Sequence, residues 1–141
     1  MNRNELIQLV HAIRGCLERG DDVSSFRRTI EQSVPYPDVF DLICADYAAD
    51  YVIDFSLGWS SQWPTLTRDN LLRLVKKIMA ADGSDADISL DVLQFESNCN
   101  HPAGSDLIYY PDTHFPDIQG EPTPEQIVTT AMAPQRQSDR D

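Results

Sequence analysis

Apolar residues recur along this chain with the period of a helix, and they do so twice with the same spacing. Leu6, Leu9, Val10 and Ile13 fall at i, i+3, i+4 and i+7, which is one face of an amphipathic helix. Leu71, Leu74, Val75 and Ile78 rebuild that face later in the chain. An ungapped offset of 65 aligns residues 3–43 with 68–108. The identities are Arg3/Arg68, Leu6/Leu71, Leu9/Leu74, Val10/Val75, Ile13/Ile78, Asp22/Asp87, Ser24/Ser89, Glu31/Glu96, Pro37/Pro102, Asp41/Asp106, Leu42/Leu107 and Ile43/Ile108, or 12 of 41 positions. Chance would give roughly 6%. The pattern therefore predicts a duplicated helical unit.

Breaks and caps divide each unit. Pro35-Tyr36-Pro37 and Asn100-His101-Pro102 end helices, because the residue before a proline is driven away from α conformation. Thr67 offers an N-cap hydroxyl to the helix carrying Leu71. Gly83 and Ser84 mark a turn before a helix expected from about Asp85 to Cys99. Ser105-Asp-Leu-Ile-Tyr-Tyr-Pro111, with a serine cap and a proline stop, leaves room for one or two turns. A polar loop over 112–122 leads to Thr123-Pro124-Glu125, a helix start with proline in its first position. Ile127, Val128 and Ala131 give that last helix an apolar face. Two tryptophans, Trp59 and Trp63, are more than a linker usually carries and are expected to pack the units together.

Charge changes the picture most. Eleven Lys and Arg stand against 23 Asp and Glu, a net charge of −12. Such a chain is repelled by phosphate, which disfavours direct nucleic-acid binding, and it attracts basic proteins. Solubility alone is the bland explanation. The distribution, however, is uneven. From Ile78 to Gln135 there is no Lys or Arg, while Asp82, Asp85, Asp87, Asp91, Glu96, Asp106, Asp112, Asp117, Glu121 and Glu125 all lie there.

No catalytic or metal constellation emerges, so no enzyme activity and no cofactor are expected. His11, His101 and His114 are isolated in sequence and lack ligand spacing. There is no Gly-rich phosphate loop and no nucleophile elbow. Cys16, Cys44 and Cys99 are odd in number, without C-x-x-C spacing, and read as reduced thiols. The N-terminal MNRNELIQLV is amphipathic and lacks a signal peptide's apolar run. No stretch approaches the ~20 apolar residues that span a bilayer. A cytoplasmic location is expected.

Two features of the second half invite a reason. On the helix from Asp85, Ile88, Val92, Phe95 and Cys99 form one stripe, while Leu90 and Leu93 point to nearly the opposite side. Packing on the first unit and a partner-facing patch both account for the second set. Tyr109 and Tyr110 are adjacent on a short helix, so their side chains diverge by about 100°. Pattern alone leans towards a core role, whereas an exposed tyrosine pair among acids would suit an interface.

The stretch HPAGSDLIYYP, His101–Pro111, closely resembles the signature of the colicin/pyocin DNase immunity proteins. The resemblance extends back through LTRDNLLRLVKKIMAADGSDADISLDVLQFES and forward to TPEQIVTTAM, over residues 66–132. It implies a four-helix bundle whose short third helix supplies the constant toxin contacts and whose second helix supplies cognate specificity. Ser105, Asp106, Tyr109, Tyr110 and Pro111 match the third-helix contact segment. Asp85, Ser89, Val92, Leu93 and Glu96 fall near the specificity positions of the second. The chain departs from the family at Asp91, where an apolar residue is usual, and in a last helix that lacks the usual tryptophan. ELIQLVHAIR and QSVPYPDVFDLI in the first half resemble the same family more weakly, over residues 3–58. There Cys44-Ala45-Asp46 stands where the tyrosine pair would be.

The expectation is thus an all-α protein of two tandem, small four-helix-bundle-like units, the immunity fold duplicated. Residues 1–58 form a degenerate unit, 59–65 a tryptophan-containing linker, 66–133 the immunity-like domain and 134–141 a disordered tail. The implied partner is the basic nuclease domain of a colicin- or pyocin-type toxin, an HNH-type DNase by resemblance, held beside its active site and shielded from DNA. The alternative is an acidic adaptor or DNA-mimic protein that binds another basic host protein.

Overall fold

The computed structural model describes residues 1–134, so the expected tail lies, apart from Pro134, outside the described residues. These residues are all-helical: α1 Arg3–Arg19, α2 Ser24–Ser33, α3 Val39–Cys44, α4 Ala49–Gly58, α5 Arg68–Met79, α6 Asp85–Ser97, α7 Asp106–Tyr109, α8 Pro111–His114 and α9 Pro124–Met132. None of these helices is long and apolar enough to cross a membrane. The chain falls into two compact units. One is Met1–Ser61 with Asp85–Leu90, the other Gln62–Ser84 with Asp91 onward.

In the first unit α1 starts on Asn2, whose side chain accepts from the Glu5 N–H, and ends at Gly20 in the left-handed region. That conformation at a helix C-terminus is what glycine permits at no steric cost. The predicted face of α1 is buried: Leu6, Leu9, Val10 and Ile13 pack with Ile30 of α2, Val39 and Ile43 of α3, and Val52 and Ile53 of α4. Arg3 at the start of α1 forks onto the Asp54 carboxylate of α4 at 2.6 and 2.9 Å. Both side chains are substantially exposed, so solvent screening leaves this pair little weight in stability. Arg14 has a more structural role. Its guanidinium donates to the carbonyls of Ile43 at the end of α3 and of Tyr47 just beyond, closing carbonyls that a six-residue helix leaves open.

Aromatic rings run along the α4 side of this unit. Tyr47, Tyr51 and Phe55 stack in turn at 5.3 and 5.9 Å between centroids. Tyr36 then meets Phe55 and Trp59 edge-on. The first six residues of α6 belong to this unit, and they account for the leucine that faced away from the predicted stripe. A Cβ on Gly58 would come within 2.5 Å of Leu90 Cδ1, so the glycine gives Leu90 its place. The Ser89 hydroxyl lies 3.1 Å from that of Tyr51.

In the second unit α5 starts on Thr67, whose hydroxyl accepts from the Asn70 N–H as expected. Its core joins Leu71, Leu74, Val75 and Ile78 of α5 to Phe95 of α6, Leu107 of α7, and Ile127, Val128 and Ala131 of α9. Thr123 and Gln126 form a reciprocal capping box at the start of α9, satisfying two helix-end donors at once. Helix α5 lies against α9, and Arg68 donates to Thr129 Oγ1 at 2.7 Å.

Repeat positions behave alike on the first helices: all four apolar pairs are buried in their own cores, and Ile30 and Phe95, also 65 apart, are both fully buried. At the third helices the offset slips. Ile43 is buried and Leu42 half-exposed in α3, whereas Leu107 is buried and Ile108 half-exposed in α7. The identical residues Leu42 and Leu107 therefore do not occupy equivalent places; a shift of 64 pairs Ile43 with Leu107.

Phe95 is the largest fully buried side chain. Phe95→Ala is expected to lower unfolding stability by about 3–5 kcal/mol, read from urea denaturation of the full chain.

Candidate functional site

The segment from Cys99 to Pro111 has little regular structure of its own, so its shape depends on ties to neighbouring elements. Asn98 secures the start: its amide donates to Pro64 O and Gln94 O, and its oxygen accepts from the Leu66 N–H. Asn100 donates from its backbone to Ala131 O at 2.7 Å and from its side chain to Met132 O at 3.2 Å. These are last-turn carbonyls of α9 that would otherwise lack partners. His101 Nδ1 accepts the Ala103 N–H at 3.0 Å. The His101 ring also meets His114 edge-on at 5.5 Å.

Gly104 follows with φ +55, a conformation that other residues adopt only under strain. Ser105 was expected to cap α7 with its hydroxyl. It sits at the N-cap position but makes no capping bond. Its hydroxyl instead donates to Glu96 Oε1 of α6 at 2.6 Å, a short, charge-assisted bond. Backbone bonds from Tyr109 N to Ser105 O and from Tyr110 N to Asp106 O close the single turn of α7. Leu107 projects from that turn into the core and is fully buried.

With Leu107 inward, the tyrosines turn outward. Tyr109 is 49% and Tyr110 68% exposed, so the leaning towards a core role is corrected. The reason is geometric: one helical turn presents one inward side, and Leu107 occupies it, with Ile108 packed at its margin. Neither phenol hydroxyl has a hydrogen-bond partner among the described residues. Tyr110, at φ −132 and ψ 59, is neither helical nor extended and breaks the chain between α7 and α8. Pro111 opens α8 in the first helical position, where its missing N–H costs nothing.

The remaining predicted positions divide. Asp106 is exposed on α7, and Glu96 is exposed on α6 beside Ser105. Val92 is half-buried and packs on the core of the second unit, while Leu93 is half-buried outside that cluster. Asp85 is exposed at the start of α6, and Ser89 is engaged by Tyr51; both group with the first unit. Asp91, unusual for the family, is 2.9 Å from Lys77 Nζ, so a half-buried acid there has a cation to meet it. Glu125 lies 3.9 Å from Lys76. Asp82, Glu96, Asp106, Asp112, Asp117 and Glu121 make no ion pair among the described residues. No metal-binding cluster occurs among them either.

Tyr109 and Tyr110 are thus exposed over a buried Leu107, with the exposed acids Asp106 and Asp112 next to them in the chain. Residues 64–133 match the family model described as colicin immunity protein / pyocin immunity protein. Over that segment the chain belongs to the colicin/pyocin immunity family. No solved structure matches the chain. The immunity domain so defined contains Glu96, the whole 101–111 segment and the capped last helix.

Cys99 lies beneath the segment, with its Sγ 3.5 Å from His101 O. Burial pushes its thiol up from the ordinary value, partly offset by backbone bonds at His101 and Gly104. Cys44 is exposed and Cys16 buried. Because the thiolate is the nucleophile, iodoacetamide should modify Cys44 well before Cys99 or Cys16 at neutral pH. Peptide mass mapping over time checks the order, and early labelling of Cys99 would contradict the packing of this segment.

Proposed function

We propose that this protein binds and neutralises the nuclease domain of a bacteriocin toxin, an HNH-type DNase by family expectation, through the acidic α6/α7 face of its immunity domain. The supporting observation is the exposure of Tyr109 and Tyr110 together on a rigidly anchored turn. Large aromatic side chains left in water on a well-packed domain are typical interface anchors. A phenol offers wide apolar area and a hydroxyl at low entropic cost.

The proposed face has Tyr109, Tyr110, Asp106 and Pro111 at its centre, with Ser105 and Glu96 beside them and Leu93 and Val92 behind. Asp85 and Ser89, on the part of α6 that groups with the first unit, stay outside it. The unpaired acids steer a basic partner during encounter. Docked beside a nuclease active site, the same charges repel phosphate, so DNA is excluded without the cleft being filled. The first unit is, on this reading, a diverged copy. Its support is the matching burial of α1 and α5, and an arginine at the start of each that reaches the last helix of its own unit.

The test uses catalytically inactivated HNH-type nuclease domains of colicin- and pyocin-type toxins in binding and DNA-competition assays. Tyr109→Ala and Tyr110→Ala should each cost about 2 kcal/mol, roughly thirtyfold in Kd, with an unchanged helical CD spectrum. Loss of helicity would instead assign the residue to the core. The association rate should fall about tenfold or more as salt is raised towards physiological strength. Failure to bind the nuclease, together with capture of a different basic host protein, would favour an adaptor or DNA-mimic role.

A further inference from the structure

The Ser105–Glu96 bond joins the helix assigned to specificity to the turn assigned to constant contacts. Both residues lie in the immunity domain. Glu96 sits near the end of α6, exposed, with one carboxylate oxygen taken by the Ser105 hydroxyl at 2.6 Å. The other oxygen has no partner among the described residues. Gly104 brings the chain close at this point: a Cβ there would stand 3.6 Å from Glu96 Cγ and 3.8 Å from Cδ. The Glu96 side chain is therefore bounded by backbone on one side and tied by a hydroxyl at its tip. A surface glutamate ordinarily samples many rotamers and loses that freedom on binding. Here the ordering is built into the unbound protein. The serine, meanwhile, does not use its hydroxyl as an N-cap, so the bond to Glu96 is what the hydroxyl supplies.

Resting on the immunity reading, we propose that Ser105 is a positioning residue for toxin recognition. Its hydroxyl fixes one oxygen of the Glu96 carboxylate and leaves the other set, beside the exposed tyrosines, to accept a lysine or arginine of the nuclease. Removing the hydroxyl leaves every charge in place, so electrostatic steering persists and the loss appears in the lifetime of the complex.

The experiment measures association and dissociation rates with the same inactivated colicin- and pyocin-type nuclease domains. Its panel is the wild-type chain, Ser105→Ala, Ser105→Thr, Glu96→Ala, Ser105→Ala/Glu96→Ala and Tyr110→Ala. Thermal unfolding of each variant verifies the fold. Ser105→Ala should weaken binding about tenfold, almost wholly through faster dissociation, and Ser105→Thr should restore it by returning a hydroxyl. The double variant should bind no more weakly than Glu96→Ala, since no carboxylate remains to be positioned. Wild-type affinity for Ser105→Ala, or multiplying effects in the double variant, would overturn the inference. If Tyr110→Ala still weakens binding strongly in that case, the immunity reading stands without it. If Tyr110→Ala is also silent, or the wild-type chain does not bind, the reading of the face falls and takes the inference with it.

Discussion

A single helical turn cannot hold itself in water. Nucleating a turn fixes several backbone dihedrals for one hydrogen bond, and isolated short helices are marginal at best. Helix α7 is four residues long, so its place on the immunity domain must come from outside it. Burial of Leu107 supplies the main anchor, in a core closed by Phe95 and the apolar faces of α5 and α9. A fully buried leucine is worth about 1.5–3 kcal/mol relative to exposure, more than the ties around it would each contribute. Those ties set orientation: Asn100 to the end of α9, His101 to Ala103, and Ser105 to Glu96. Once Leu107 is inward, Tyr109, two residues on, faces outward, while Tyr110 leaves α conformation at φ −132 and ψ 59 and is exposed.

The first unit closes the end of its third helix differently. Its third helix is anchored by two buried aliphatics, Val39 and Ile43, and the chain then runs through Cys44 and Ala45 to Asp46 in the left-handed region. Arg14 of α1 gathers the Ile43 and Tyr47 carbonyls. The residue 65 positions on is Met79, which has no such donors. After its third helix the immunity domain leaves Tyr109 and Tyr110 exposed, whereas the first unit's exposed Tyr47 stacks on Tyr51 and has its carbonyl held by Arg14.

The helices with a full apolar face were legible because periodicity reports burial directly. Leu6 to Ile13 and Leu71 to Ile78 are buried as their spacing required, and Thr67 and Thr123 cap as their positions indicated. Periodicity has little to say about a one-turn element. The tyrosine pair leaned towards the core on pattern because two adjacent aromatics carry no phase information. Only Leu107's claim on the inward side decided the matter. Ser105 was misread for a related reason. A serine before a helix is usually a cap, and nothing local shows that a glutamate nine residues earlier lies within reach of its hydroxyl. Leu90 was ambiguous until Gly58, on another helix, showed the space made for it. The ungapped repeat also overstated equivalence, since it could not register a one-residue slip at a proline turn.

The charge distribution follows the same logic of placement. The lysines of α5 meet acids of α6 and α9: Lys77 with Asp91, Lys76 with Glu125. Those pairings leave the α7 side with acids alone. Exposed pairs contribute little stability, so their consequence is for the surface field: cations are absorbed away from the tyrosines, and Glu96, Asp106 and Asp112 act without local compensation. Such a face is self-repelling when free, and the domain tolerates it because α7 is held by apolar burial, not by charge. Anchoring by Leu107 and uncompensated acidity are therefore linked. On the proposed function, a turn held by ion pairs would have needed cations at the place where a basic partner docks.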